Sequence, residues 1–250
     1  MPSFNKLLQR IPRQTVAGIF FVYPIVNLLR IKVDIVPFLL FNIVMKGDEV
    51  LKLRTVDLTF GAVFVCLMAI GANITVWFPF LAIPIGGASV PLSLQTFFAI
   101  LTGLMLGAKR ALMALLTYVL IGIAGVPVFA NLQAGPVQLI KPTGGFILSF
   151  ILVAVIAGWI AEQKKKPSLG IYMTGAIAGL TINYMVGVNY MYLAMNSWLD
   201  LEISYTVAWS GMIPFLIKDA GMAVLAAVFM VQISKRLPTH WTQTRTKQLA

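Results

Sequence analysis

The chain has 250 residues, 59% hydrophobic and 11% charged, with a net charge of +11 and a mean hydropathy of +0.90. That balance excludes a soluble globular domain, which needs far more polar surface to cover itself. A membrane β-barrel is excluded too, because the two-residue alternation in segments of about ten residues is missing. The fold class is therefore an all-α integral membrane protein.

Residues 1–54 come first and stand apart. The runs "TVAGIFFVYPIVNLL" and "IVPFLLFNIVM" are apolar but short, contain Pro24 and Pro37, and are separated by "RIKVD". Each falls below the roughly 20 residues that a spanning helix needs. A single extra crossing would place Lys6, Arg10 and Arg13 outside, against the charge rule for membrane topology. No small-residue cleavage site follows the apolar stretch, which argues against a signal peptide. These residues read as a hydrophobic extension lying in or dipping into the inner leaflet, or else as an extension without a role.

Six crossings follow, at Val56–Thr75, Val90–Leu106, Ala111–Ala124, Gly145–Glu162, Leu169–Val188 and Gly211–Ile233. Cations precede the first (Lys46, Lys52, Arg54) and recur after the second (Lys109, Arg110), fourth (Lys164, Lys165, Lys166) and sixth (Lys235, Arg236). The intervening connections, Trp77–Ser89, Val126–Thr143 and Asn189–Tyr205, carry Asp200 and Glu202 and, among cations, only Lys141. Every second connection is basic, so both ends of the six-helix unit face the cytoplasm. The domain reading is residues 1–54 as extension, 55–236 as a six-helix membrane domain and 237–250 as a polar cytoplasmic tail.

On the first span, Ala62, Cys66, Ala69 and Asn73 step by four, three and four, which is one helix face. Small residues so spaced let another helix approach closely. Gly103 and Gly107, and Gly175 and Gly179, form two further pairs that pack within the bundle or against a partner.

The connection "GVPVFANLQAGPVQLIKPTGG" is too rich in glycine, proline and amides to face lipid, so it is buried in protein or lines a cavity. Asn131, Gln133, Gln138 and Thr143 offer donors and acceptors there, and Gly135, Gly144 and Gly145 allow tight turns. The competing reading is an ordinary outer loop with helix caps.

In the sixth span, "MIPFLIKDAGMAVLAAVFMV" places Lys218 beside Asp219 in an otherwise apolar run. Charges at membrane depth are expensive and usually functional. Helix neighbours point about 100° apart, so mutual neutralisation is a weak explanation for the pair. Either Asp219 meets a ligand or ion, or Lys218 snorkels outward and Asp219 is protonated or bonded within the bundle.

Several chemistries are excluded. Cys66 is the only cysteine and His240 the only histidine, which leaves no intrachain disulfide, thiolate metal site, zinc site or His-based triad. No G-x-x-x-x-G-K-[ST] occurs, so the chain has no loop of its own for hydrolysing ATP. The basic clusters are not interleaved with stacking aromatics, which argues against nucleic acid. No enzyme and no cofactor is expected.

"AIGANI", "VPLSLQTFFAILTGLMLG", "GVPVFA", "PTGGF" and "PFLIKDAGMAVLA" occur in order from about Leu53 to Arg236, and together they resemble the BioY family. That family comprises the biotin-binding S components of energy-coupling factor (ECF) vitamin transporters. The resemblance implies a six-helix S-component bundle with a biotin pocket near the outer face. It also implies a transmembrane T component and cytoplasmic ATPase subunits as partners. The family's Ala-x-x-x-Ala motif falls on Ala62 and Cys66, making Ala62, Cys66 and Ala69 the expected partner interface. Asn131 and Asp219 fall on the family's ligand-contacting positions; Lys218, Thr143, Gly144, Gln95 and Tyr184 complete the candidate set of substrate contacts. The family's lysine three residues after the aspartate is Met222 here, and the expectation is that Lys218 replaces it, meeting the ligand's carboxylate or balancing Asp219 across the pocket. That departure keeps open a biotin precursor or another small vitamin, taken up by the chain alone or as an oligomer. A structural or assembly role built on the glycine seams is the alternative of another class.

Overall fold

A computed structural model describes residues 55–236, apart from 86–87 and 165–166; these lie within the unit Arg54–Ala250. The expected extension and the polar tail lie outside the described residues. The helices are α1 (Thr55–Ala72), α2 (Ile74–Trp77), α3 (Gln95–Leu106), α4 (Ala108–Ile123), α5 (Val137–Ile140), α6 (Gly144–Glu162), α7 (Leu169–Ser197) and α8 (Tyr205–Arg236). Four of the described helices, α1, α6, α7 and α8, are long and apolar enough to cross a membrane.

Helix α6 forms the centre, packing on α3, α4 and α7; α8 lies against α7 and α3, and α1 against α3 and α4. Alanine dominates the seams, with Ala99, Ala111, Ala154, Ala157, Ala176, Ala223, Ala226 and Ala227 all buried. Lipid tails are as greasy as leucine, so helices associate through close packing, and small side chains permit it. A β-carbon on Gly103 would collide with the Ala154 carbonyl, and Gly175 and Gly179 abut Ala157 and Val153. These three seam glycines thus pack within the bundle. Gly107 packs there too, against Glu162 and Gly158 of α6, and at φ +81° it also makes the turn between α3 and α4. At the same end Arg110 of α4 donates to Asp57 of α1 at 2.9 Å, a buried ion pair joining those helices.

Gly103→Ala is expected to destabilise the fold by about 3 kcal/mol, because backbone rather than a yielding side chain stands in the way. Gly221→Ala, with open space around it, is expected to stay within about 0.5 kcal/mol of the parent. Thermal unfolding of the two purified variants in one detergent makes the comparison.

Three boundaries differ from the sequence reading by about five residues or more. Residues Ala82–Ile85 and Ala88–Pro91 form a two-stranded antiparallel ribbon, so α3 starts at Gln95 rather than Val90. Helix α7 runs 29 residues, about 43 Å, and continues past Val188 to Ser197. That length exceeds the roughly 30 Å of hydrocarbon, and in its last turns Asn189 and Asn196 bond the carbonyls of Met185 and Tyr192 one turn back. Helix α8 begins at Tyr205 rather than Gly211 and passes through Pro214, which membrane helices tolerate. The fourth residue of the α1 stripe also departs from its face: Ala62 and Cys66 are exposed and Ala69 half-buried, but Asn73 lies beyond the helix end and is buried.

Candidate functional site

The N-terminal turns of α3 and α6, the N-terminal half of α8 and the C-terminal half of α7 surround a cavity of about 350 Å³. Small-molecule sites span roughly 300–1,000 Å³. Its floor is polar and buried: Gln95 and Thr96 from α3, Asn183 and Tyr184 from α7, and Asp219 from α8. Phe129, Phe146, Phe150, Met191, Met212 and Phe215 make apolar walls. Asn131, Lys141 and Thr143 stand at the mouth and are exposed.

Helix geometry explains the convergence. Met212, Phe215 and Asp219 are spaced by three and four, so they share one face of α8. Asn183 and Tyr184 are consecutive and point apart: the Ser149 hydroxyl of α6 donates to Asn183 Oδ1 at 2.6 Å, while the Tyr184 hydroxyl donates to Asp219 Oδ2 at 2.9 Å. Thr96 donates to the same Oδ2 at 3.0 Å. Gln95 donates to the Tyr118 hydroxyl at 2.9 Å, which in turn donates to the Val128 carbonyl at 3.0 Å and ties the floor to the α4–α6 loop.

Asp219 Oδ2 is therefore occupied by two donors, and Oδ1 is not. The Lys218 ammonium lies 2.6 Å from Oδ1 as an ion pair but makes no aligned hydrogen bond to it, so the buried Oδ1 has a counter-charge and no hydrogen-bond donor. The same ammonium donates to the Ser93 carbonyl. Mutual neutralisation, which the sequence reading rated a weak explanation for the pair, is what the contact provides. Backbone directions 100° apart do not bind a side chain with four methylenes, which bends its head back over its neighbour. Lys218 balances Asp219, and it does so alongside it rather than across the pocket.

The mouth is built by the loop between α4 and α6. The Phe129 amide donates to the Gln133 carbonyl at 3.1 Å, closing a tight turn over residues 129–133 whose tip is Asn131. The carbonyls ending α5 accept from α7: the Tyr190 hydroxyl donates to Leu139 at 2.6 Å and the Trp198 indole to Ile140 at 3.0 Å. That clasp fixes Lys141, whose ammonium donates to Gln133 Oε1 at 2.6 Å. Among the described residues Lys141 enters no ion pair, so its positive charge is unbalanced at the cavity mouth.

Six of the candidate contacts, Asn131, Asp219, Lys218, Thr143, Gln95 and Tyr184, line the cavity. Gly144 does not; a β-carbon there would strike the Leu139 carbonyl, so its place is the close contact of α5 with α6. The sequence reading missed Thr96, Asn183 and Ser93 and treated Lys141 only as a topology signal. Among the described residues no three His, Cys, Asp or Glu side chains converge to hold a metal ion.

Comparison with known proteins places these features in a group. The profile of the BioY family matches residues 45–239. The chain is 44% identical to the BioYB protein of Bacillus subtilis over 174 residues, covering 70% of this chain and 85% of that one. It is 37% identical to the biotin transporter BioY of Thermotoga maritima over 176 residues, covering 70% and 94%. Its fold is similar to the crystal structure of the S-component for biotin from an ECF-type ABC transporter, with a TM-score of 0.56 at 21% identity, covering 74% of this chain and 93% of that one.

Proposed function

The chain belongs to the BioY family, and from that membership we propose that it is the substrate-capturing membrane subunit of a biotin importer. The observation that carries this reading is the buried Asp219 Oδ1, an acceptor without an aligned donor on the floor of a cavity of vitamin size. Biotin's ureido ring presents two N–H donors, and one of them completes Oδ1. Asn183, whose Oδ1 is engaged by Ser149, has amide N–H groups to offer the ureido carbonyl. The apolar walls take the bicyclic ring and the aliphatic tail, and the tail's carboxylate ends at the mouth near Asn131, Thr143 and Lys141. Equilibrium binding of biotin to the purified chain tests the assignment; a chain that retains no biotin overturns it.

Lys141 follows as the residue that reads the carboxylate, because the Lys218 charge is already engaged by Asp219. Lys141→Met is expected to weaken biotin binding about tenfold and to leave the uncharged amide of biotin unaffected, a hydrogen bond between charged groups being worth about 1.5–3 kcal/mol. Equal losses for acid and amide would remove Lys141 from that role.

The reading extends to topology. The six crossings are α1, α3, α4, α6, α7 and α8, with α3 and α4 as the short ones meeting at Gly107, and both ends of the unit face the cytoplasm. Residues 55–236 form the membrane domain, 1–54 a membrane-associated extension and 237–250 a cytoplasmic tail. Without an ATP-binding loop of its own, the chain relies on a T component and ATPase subunits. The exposed Ala62 and Cys66 with half-buried Ala69 support α1 as the surface that meets the T component.

A further inference from the structure

The loop tip that presents Asn131 is strained. Asn131 and Leu132 are consecutive non-glycine residues with φ of +58° and +55°. Asparagine tolerates the left-handed region, but leucine does not, since its β-carbon crowds the following carbonyl at a cost of roughly 1–2 kcal/mol. The Phe129–Gln133 bond closes the turn around Leu132, and one side-chain bond from outside the turn engages Leu132 itself: its amide donates to Asn73 Oδ1 at 2.6 Å. Asn73 is itself fixed. It is only 2% exposed, and its Nδ2 donates to the Ala69 carbonyl at 2.9 Å in the last turn of α1. Its side chain thus ties the end of α1 to the tip of the α4–α6 loop, 59 residues away in sequence.

We infer that Asn73 is the positioning residue of the binding site: it clamps the Leu132 amide, holds the 131–132 turn left-handed, and so keeps Asn131 at the cavity mouth. Asn73 is not among the residues that line the cavity. The inference rests on the biotin-binding reading for its consequence but not for its geometry. Removing the clamp lets Leu132 relax toward ordinary φ, which opens the turn and withdraws Asn131. Replacing Leu132 with glycine removes the steric reason to relax, so the turn no longer needs the clamp.

The experiment uses the full chain in detergent and has two readouts. Without ligand, Asn73→Ala is expected to raise hydrogen exchange at the Phe129 amide, whose bond to Gln133 closes the turn, by about tenfold, and Asn73→Ala with Leu132→Gly is expected to restore its protection. With biotin, Asn73→Ala is expected to weaken binding about tenfold, the double variant to recover most of that, and Asn73→Ala added to Asn131→Ala to cost nothing further. A core residue that merely fills space would show no rescue by Leu132→Gly. Unchanged exchange at Phe129 in Asn73→Ala, or a loss that Leu132→Gly leaves untouched, overturns the inference whatever ligand the chain takes. Normal exchange behaviour with no biotin binding by the parent chain would instead overturn the function proposed above.

Discussion

Asp219→Asn is expected to weaken biotin binding by at least about a hundredfold. An asparagine keeps the size of the side chain but turns one of its two acceptors into a donor. If the amide nitrogen takes the place of Oδ2, it faces the hydroxyls of Thr96 and Tyr184. If it takes the place of Oδ1, it faces the Lys218 ammonium and any ligand N–H that would have bonded there. Either way a hydrogen bond to a charged acceptor is lost, about 1.5–3 kcal/mol, and the ligand meets a donor or an unbalanced cation. The variant also leaves the half-buried Lys218 without its counter-charge, which costs stability, up to the about 3–5 kcal/mol seen when one partner of a fully buried pair is removed. Asp219→Asn combined with Lys218→Met separates the two effects. The double variant should regain the melting temperature measured without biotin and should still fail to bind. Titration calorimetry beside thermal unfolding decides; binding within about threefold of the parent in Asp219→Asn would remove the carboxylate from recognition.

The parts of this molecule that were legible in its sequence are those where hydropathy changes sharply. The first and fourth spans were expected at Val56–Thr75 and Gly145–Glu162, and α1 and α6 occupy Thr55–Ala72 and Gly144–Glu162. Charged residues or turns flank both. Helix α7 was cut short at Val188 because last turns carrying Asn189, Asn196 and several aromatics have the composition of a loop. In the site, Asp219 and the 126–143 loop stood out as polar matter in apolar surroundings. Thr96 and Asn183 did not, for a physical reason. A lone hydroxyl in an apolar helix usually bonds its own previous turn, as Thr102, Thr174 and Thr181 do with Phe98, Gly170 and Ile177. Only the assembled bundle shows that Thr96 instead reaches Asp219, 123 residues away. The Lys218–Asp219 pair was misjudged because backbone directions were read as side-chain directions, and Asn73 because a helix-face pattern was carried one residue past the helix end.

Bulk added to α1 is expected to separate capture from uptake. Ala62 and Cys66 lie one turn apart on a helix most of whose surface faces away from the bundle, and neither lines the cavity. An Ala62→Trp, Cys66→Trp double variant places two indoles where a second helix needs small residues in order to approach. Biotin binding to the purified chain should stay within about twofold of the parent, because the floor residues sit on α3, α7 and α8 and the mouth on the α4–α6 loop. Uptake by cells, and recovery of the T component with the tagged chain, should each fall by more than about tenfold, since losing even about 1.4 kcal/mol of docking energy shifts association that far. The comparison also judges whether the chain works alone. A solitary transporter would be indifferent to bulk on an outward helix face and to inactivation of any partner ATPase. Uptake that persists in the double variant but vanishes with the ATPases would keep the partners and move their docking surface to another helix. Uptake that survives both would leave a chain that carries biotin unaided.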